Sequence, residues 1–271
     1  MAELRQQIIK ELGVTPTIQP EQEVQRRVNF LQSYLADAGA RGYVLGISGG
    51  QDSLLAGYLA QRAVTKLREQ GYGASFHAML LPYGTQADRA DAEAAIEFIK
   101  PDEIYDLNIK SSVDALADEF TVATSESLAD FDKGNVKARM RMIAQYALAG
   151  THGLLVVGCD HAAEAVTGFY TKYGDGGADV MPLAGLTKRQ GRALLQYIGA
   201  PEVFYTKEPT ADLLDEAPLQ SDATELGLTY DEIDDYLEGK PVSPEVAAKI
   251  EALFIRTQHK RQMPAAPPAV L

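Results

Sequence analysis

Residues 43–53, YVLGISGGQDS, restrict this chain more than any other stretch. Tyr43, Val44, Leu45, Gly46 and Ile47 form a short run suited to a strand, and Ser48-Gly49-Gly50-Gln51-Asp52-Ser53 then turns the chain. Beyond the turn, Leu54, Leu55, Tyr58, Leu59 and Ala63 recur at helical spacing, which predicts a helix to about residue 70. Strand, glycine turn and helix start together suit phosphate. The glycines let the backbone approach an anion, and the first helical turn offers free N–H groups and a partial positive charge. Ser48 and Ser53 add hydroxyls, and Asp52 can hold a magnesium ion against a phosphate. A plain strand-to-helix turn needs neither the serines nor the acid.

The rest of the chain alternates. Residues 75–81 (SFHAMLL) predict a buried strand ended by Pro82-Tyr83-Gly84, residues 86–99 a helix, 104–109 a strand and 154–158 (LLVVG) another. Short connections between such elements predict an α/β fold, a Rossmann-like parallel sheet flanked by helices. Ligands on these sheets lie beyond the carboxyl ends of the strands, where the glycine turn falls. His77, inside its strand, reads as a core or edge side chain. Two N-terminal helices, 2–12 and 21–38, are not required for nucleotide binding and suit packing on the sheet or on another subunit. Residues 231–238 hold five acids in eight positions and read as a solvated helix; 245–255 are amphipathic, and 265–271 read as disordered. The expected organisation is one domain over 1–271: N-terminal helices at 1–38, a nucleotide-binding core at 43–200 and a helical part at 201–271.

Net charge narrows the partners. With 25 basic and 38 acidic residues the chain carries −13, a field that repels nucleic acid and anionic lipid. A small anion is still acceptable where cations gather, and Lys133, Lys137, Arg139 and Arg141 place four within nine residues of the helix predicted at 130–150. For the two lysines a solvated face is as good a reading; the two arginines, as planar forks, favour ligand contact. No apolar run of about 18 residues and no basic-then-apolar start point to a membrane. The single Cys159 excludes an intrachain disulfide or a multi-cysteine metal site and fits a reducing cytoplasm.

Two further segments carry chemistry. After the strand at 154–158, Cys159-Asp160-His161-Ala162-Ala163-Glu164 opens a helix, with Asp160 expected as its cap and Glu164 as a second magnesium ligand beside Asp52. His161 receives no role. Residues 169–179 break the alternation with Gly174, Gly176 and Gly177 around Asp175; Lys172, Asp175 and Asp179 along it suit a lid. The helix predicted at 186–197, capped by Thr187, starts with Lys188 and Arg189, which oppose its dipole unless an anion compensates. Thr210 is expected to cap a turn at 207–214.

The glycine turn lacks the lysine of a G-x-x-x-x-G-K-[ST] loop and the spacing of G-x-G-x-x-G. It resembles the S-G-G-x-D-S signature of the PP-loop ATP pyrophosphatases, which cut ATP between its α- and β-phosphates. Together with DFDKGNVKARMRM at 130–142, DHAAEAVTGFYTKYGDGGAD at 160–179, LTKRQGR at 186–192, EPTADL at 208–213, DEIDDYLEG at 231–239 and HKR at 259–261, it makes nearly the whole chain similar to the ammonia-dependent NAD+ synthetases. The resemblance implies an enzyme that turns deamido-NAD+, ATP-Mg2+ and ammonia into NAD+, AMP and pyrophosphate through an NAD-adenylate, the last step of NAD+ biosynthesis. It implies a homodimer with active sites at the interface.

Residue by residue, the resemblance places Gly46, Ile47, Ser48, Gly49, Gly50, Gln51, Asp52, Ser53, Cys159, Lys188 and Thr210 on ATP, and Asp52 and Glu164 on magnesium. Phe131 (by stacking), Arg139, Lys172, Asp179, His259 and Lys260 fall on deamido-NAD+, the last two reaching a partner's site. Asp52 and Lys188 serve the phosphates in catalysis, and Asp175 is the expected base for ammonium. Cys159 and Leu54 stand where the family commonly has threonine, and Leu80 where it has arginine; the family's aromatic, acidic C-terminus and any Trp are missing. No room is expected for the amidase domain of glutamine-using relatives, so free ammonia is the expected nitrogen source. Other PP-loop ligases, such as tRNA-thiolating enzymes or the ATP domain of a GMP synthetase, are the rivals; the former want a basic surface and paired cysteines. A non-catalytic ATP sensor on the same fold has no use for Glu164 and the cation set.

Overall fold

The computed structural model describes residues 2–85, 88–207 and 221–267. Helices α1 (Ala2–Glu11) and α2 (Pro20–Asp37) lead into β1 (Gly42–Gly46), α3 (Gln51–Glu69), β2 (Ser75–Leu80), α4 (Arg89–Ile99) and β3 (Glu103–Asp106). Then come α5 (Lys110–Thr124), α6 (Asp130–His152), β4 (Leu155–Val156), α7 (Ala162–Thr167) and α8 (Lys188–Tyr197). The remainder is helical: α9 (Val203–Thr206), α10 (Asp222–Leu226), α11 (Tyr230–Leu237), α12 (Pro244–Arg256) and α13 (Gln258–Arg261).

The four strands run parallel in the order β3-β2-β1-β4. From β1 the chain steps outward through β2 to β3, then returns past β1 to lay down β4. The direction of winding therefore reverses between β1 and β4, and the crevice at their carboxyl ends is where such a sheet takes its ligand.

Strand alternation distributes the core. Tyr43, Leu45 and Ile47 face α2, α3 and α8, while Val44 joins Met79, Val156, Ile109 and Val113 on the opposite face, under α5 and α6. Both faces of β1 are covered, so GYVLG is apolar throughout rather than at every second residue, whereas the edge strand β3 is largely exposed. The Tyr43 hydroxyl donates to the Leu31 carbonyl at 2.7 Å, which satisfies a buried phenol and ties β1 to α2. A separate apolar cluster, with Ile8, Val166, Ile233, Leu237 and Phe254, packs α1, α7, α11 and α12 together.

Several expectations change. Residues 154–158 yield a strand of only Leu155–Val156, extended by a parallel bridge from Val157 to Val180. The helix at 231–238 is not solvated: Ile233, Asp234, Tyr236 and Leu237 are buried, and Asp234 accepts from the backbone N–H of Lys188 at 3.0 Å and of Arg189 at 2.7 Å. Lys137 is buried, its ammonium 4.3 Å from the centre of the Tyr83 ring, so it is no solvated face. His77 is a core side chain bonded to Ser75 Oγ at 2.8 Å. Thr210 lies outside the described residues, as does the tail from 268 onward.

Candidate active site

The glycine turn sits at the switch point. Gly49 adopts φ +85°, and a Cβ there would fall 2.6 Å from the Ala92 backbone nitrogen, so the turn is pressed against the start of α4. Ser48 and Ser53 hydroxyls lie 3.0 Å apart, and Gly50 N–H donates to Ser48 Oγ at 3.3 Å. The first turn of α3 thereby opens into a cleft of about 1000 Å³. All eight residues from Gly46 to Ser53 line it, together with Cys159, Glu164, Asp175 and Lys188.

The strand end at β4 supplies the facing wall. His161, not Asp160, is the N-cap of α7, and the Glu164 carboxylate accepts from the His161 backbone N–H at 3.4 Å. The expected cap is thus displaced by one residue, which frees the Asp160 carboxylate to line the cleft. Only the return half of a capping box is made, Glu164 reaching back to the His161 backbone N–H while the imidazole itself makes no cap bond.

Charges are packed tightly here. Lys188 Nζ lies 2.7 Å from Asp52 Oδ2 and 4.9 Å from the centre of the Tyr230 ring. Burial alone would raise the Asp52 pKa, but the Lys188 ammonium outweighs it and holds the carboxyl below its usual value. Burial likewise works to lower Lys188, and Asp52 and Glu164 reverse the direction. Glu164 is pushed well above the ordinary range by burial and by Asp52, and Asp160 by burial and by Asp175. Asp175 Oδ1 accepts from Thr171 N–H at 2.8 Å, yet burial still raises its pKa. Burial depresses His161 to about 4 and raises the Cys159 thiol, so both are neutral near pH 7.

The acids give a first prediction. Raised folded-state pKa values mean that the ligand-free protein is stabilised by protonation of Glu164 and Asp160, and loses that contribution as pH rises through those values. A divalent cation held by Glu164 would favour its ionised form. Addition of a divalent cation is therefore expected to release protons, read by calorimetry in two buffers of different ionisation enthalpy. Glu164→Gln should diminish the release; an unchanged release would remove Glu164 from the response.

The remaining expected site residues divide. Phe131, 63% exposed, stands at the cleft's mouth, and His259 and Lys260 line it. Within this chain Lys260 Nζ donates to the carbonyls of Gly168 at 2.8 Å and Tyr170 at 2.7 Å. Arg139, Lys172 and Asp179 lie outside the cleft lining. Arg139 Nε donates to the Lys172 carbonyl, and the Asp179 carboxylate accepts from Val156 N–H at 2.7 Å and from the Tyr146 hydroxyl at 3.2 Å. Arg189 answers its helix dipole within the chain, through Glu238 at 2.7 Å, Asp235 at 3.0 Å and Asp231 at 3.3 Å. Arg141 lines the cleft, with Nε donating to the Leu81 carbonyl. Asp160, His161 and Gln145, whose Oε1 accepts from Gly46 N–H at 2.8 Å, were not expected in the site.

A parallel sheet with a phosphate turn after its first strand and an acid–lysine pair at its switch point defines the adenine-nucleotide α-hydrolase class of fold. The NAD synthase family model matches residues 23–264. An NH3-dependent NAD+ synthetase of Bacillus licheniformis is 63% identical over 262 residues, 97% of this chain and 96% of that protein. The crystal structure of an NAD+ synthetase from Burkholderia pseudomallei superposes with a TM-score of 0.83 at 48% identity, covering 96% of each chain. An NMN synthetase structure from Francisella tularensis gives 0.81 at 35% identity, covering 93% of this chain and 99% of that one. The chain belongs to the NAD synthase family.

Proposed function

We propose that this chain is an ammonia-dependent NAD+ synthetase, converting deamido-NAD+, ATP and free ammonia into NAD+, AMP and pyrophosphate. The observation that carries the reading is the Asp52–Lys188 pair, 2.7 Å apart at the foot of the serine-glycine turn, with Glu164 opposite. The 63% identity to a protein of that name supports the same substrates.

The donor set fits magnesium. Asp52 and Glu164 offer hard carboxylate oxygens, and among the described residues no lysine or arginine forms an ion pair with Glu164. When bound by these two residues, magnesium would supply neutralisation of charge on the phosphates. Gly49, Gly50 and the N–H groups that open α3 orient the triphosphate, with Ser48, Ser53, Cys159 and, outside the described residues, Thr210 beside it. The substrate's pyridine carboxylate attacks the α-phosphorus and pyrophosphate leaves, while Lys188 offsets the developing charge. Ammonia then attacks the acyl-adenylate carbonyl and AMP departs. Ammonium must lose a proton first, and the Asp175 carboxylate lines the cleft for that task. Asp175→Asn is expected to slow amide formation by about 10²–10⁴-fold, the usual worth of a general base, while sparing pyrophosphate release. Rapid-quench measurement of both products checks this; equal loss of the two steps would dispose of the role.

Phe131, His259 and Lys260 receive the dinucleotide inside the cleft, and Arg139, Lys172 and Asp179 take its outer end. Asp179 accepts from Tyr146, which is exposed on α6 with Ile143, and Phe30 and Tyr34 are exposed on α2. A second copy laid over that aromatic patch completes the site, so the working unit is a homodimer. In this reading 43–200 binds nucleotide, and 1–38 and 201–271 wall and buttress it within one domain. Among the described residues no helix is long and apolar enough to cross a membrane. A cytoplasmic location, without nucleic-acid or membrane partners, accords with a charge of −13 and one cysteine.

Incubation with ATP, magnesium, ammonium and deamido-NAD+ should yield NAD+, AMP and pyrophosphate in equal amounts. Amidation of nicotinate mononucleotide in preference to the dinucleotide, or pyrophosphate release without either, would overturn the assignment.

A further inference from the structure

The turn after β4 brings a third donor to the two carboxylates. Asp52, His161 and Glu164 each offer one ligand atom, and the three atoms lie within 4.8 Å of one another. His161 Nε2 is 3.7 Å from Asp52 Oδ1 and 3.6 Å from Glu164 Oε2. Lys188 occupies the other oxygen of Asp52, Oδ2, so Oδ1 is left facing the imidazole. Two acids alone would say little. The imidazole is what points to a ligand, for it is only 3% exposed and neither ring nitrogen has a hydrogen-bond partner. Buried polar atoms are nearly always paired, and an orphaned one set against two carboxylates calls for an explanation such as an ion. Ligands in neighbouring positions around one small cation, each at about 2.1 Å, stand about 3 Å apart. Reaching that from 3.6 Å needs side-chain adjustments of a few tenths of an ångström.

We propose that His161 Nε2 binds the divalent cation directly, beside Asp52 and Glu164, and that the resulting nitrogen-and-oxygen site prefers Mn2+ to Mg2+. This rests on the assignment of Asp52 and Glu164 to a metal. Imidazole is a poor ligand for Mg2+, which holds its waters and seeks oxygen; Mn2+ accepts both donor types. Histidine at this position therefore sets metal choice rather than the reaction itself. The α7 frame makes the geometry rigid, since the backbone N–H of His161 is held by the Glu164 carboxylate.

The test uses the full chain with ATP and Mn2+, read by electron spin echo envelope modulation. Phosphorus coupling reports that the ion is on the nucleotide, and nitrogen coupling reports an imidazole bound to it. Both couplings are expected in the unaltered protein. His161→Gln should abolish the nitrogen signal, keep the phosphorus signal and lower the ratio of Mn2+ to Mg2+ affinity about tenfold. Phosphorus coupling without nitrogen coupling, or a nitrogen signal that survives His161→Gln, overturns the proposal and leaves Asp52 and Glu164 as ligands. If the same spectrum shows phosphorus coupling that persists in Glu164→Gln with unchanged Mn2+ affinity, the metal assignment itself fails and takes the proposal with it. Should His161→Gln not fold, the unaltered protein labelled with heavy nitrogen in histidine alone decides, because only a histidine-derived coupling then changes.

Discussion

Asp52→Ala is expected to lower ATP-dependent pyrophosphate release by about a thousandfold or more. One side chain serves three neighbours: Oδ2 pairs with Lys188 at 2.7 Å, Oδ1 faces His161, and the carboxylate is a proposed magnesium ligand. Removal of a single electrostatic group that stabilises a developing oxyanion commonly costs about 10²–10³ in rate. Here the loss also turns Lys188 loose. That ammonium is only 4% exposed on its side chain, and breaking a buried pair by deleting one partner costs about 3–5 kcal/mol. Asp52 is itself 20% exposed, so the lower end of that range applies. Asp52→Asn separates the two effects, since it retains shape and a hydrogen-bond acceptor for Lys188. Its melting temperature should fall less than that of Asp52→Ala while its rate falls comparably. Pyrophosphate assays with thermal melts of both variants check this, and full turnover in either one would refute the account of the site.

Gly49→Ala is the second large effect, and it acts through the backbone. A φ of +85° is outside what a residue with a Cβ adopts readily, at a cost of about 1–2 kcal/mol. The added methyl also meets Asp91 and Ala92 backbone atoms at 2.6–2.8 Å, atoms that belong to α4 and cannot swing aside as a side-chain tip would. Overpacking of that kind adds about 1–3 kcal/mol. The chain escapes by flattening the turn, which rotates the N–H groups away from the phosphates. We expect a stability loss of about 2–5 kcal/mol in urea titrations and a rise in the KM for ATP of tenfold or more. By contrast Gly50→Ala, where φ is −87° and the nearest foreign atom to a new Cβ is Ser48 Oγ at 3.4 Å, should leave stability nearly unchanged. Similar losses at the two positions would show that the left-handed backbone is not the cause.

The parts of the fold that were legible in the sequence are those governed by local pattern. The strand–turn–helix at 42–69, the α6 helix and the Thr187 cap of α8 follow from apolar period and turn chemistry, and the structure has them within a residue or two. Asp234 shows what pattern cannot show. Its neighbours make 231–238 look like an acidic solvent face, yet its carboxylate is spent on two backbone N–H groups of a helix more than forty residues earlier. Only the packing of α11 on α8 reveals that partner. The same is true of Arg189, whose compensating anions come from α11 rather than from a ligand. In the site, the glycine turn, Asp52, Glu164 and Lys188 could be read from residue type and position. His161 was passed over because a lone histidine at a strand end carries no periodic signal, and its isolation from hydrogen-bond partners exists only in three dimensions.

The grip of α13 on the segment before the glycine lid bears on how the enzyme is made. Lys260 holds the carbonyls of Gly168 and Tyr170, and Arg261 holds that of Ala165 at 2.9 Å, so residues 165–170 are fastened from 90 to 96 positions downstream. During synthesis the ribosome delivers the nucleotide turn and its sheet long before it delivers those fasteners. A chain ending near residue 250 would lack both donors and leave the carbonyls of Ala165, Gly168 and Tyr170 without these bonds.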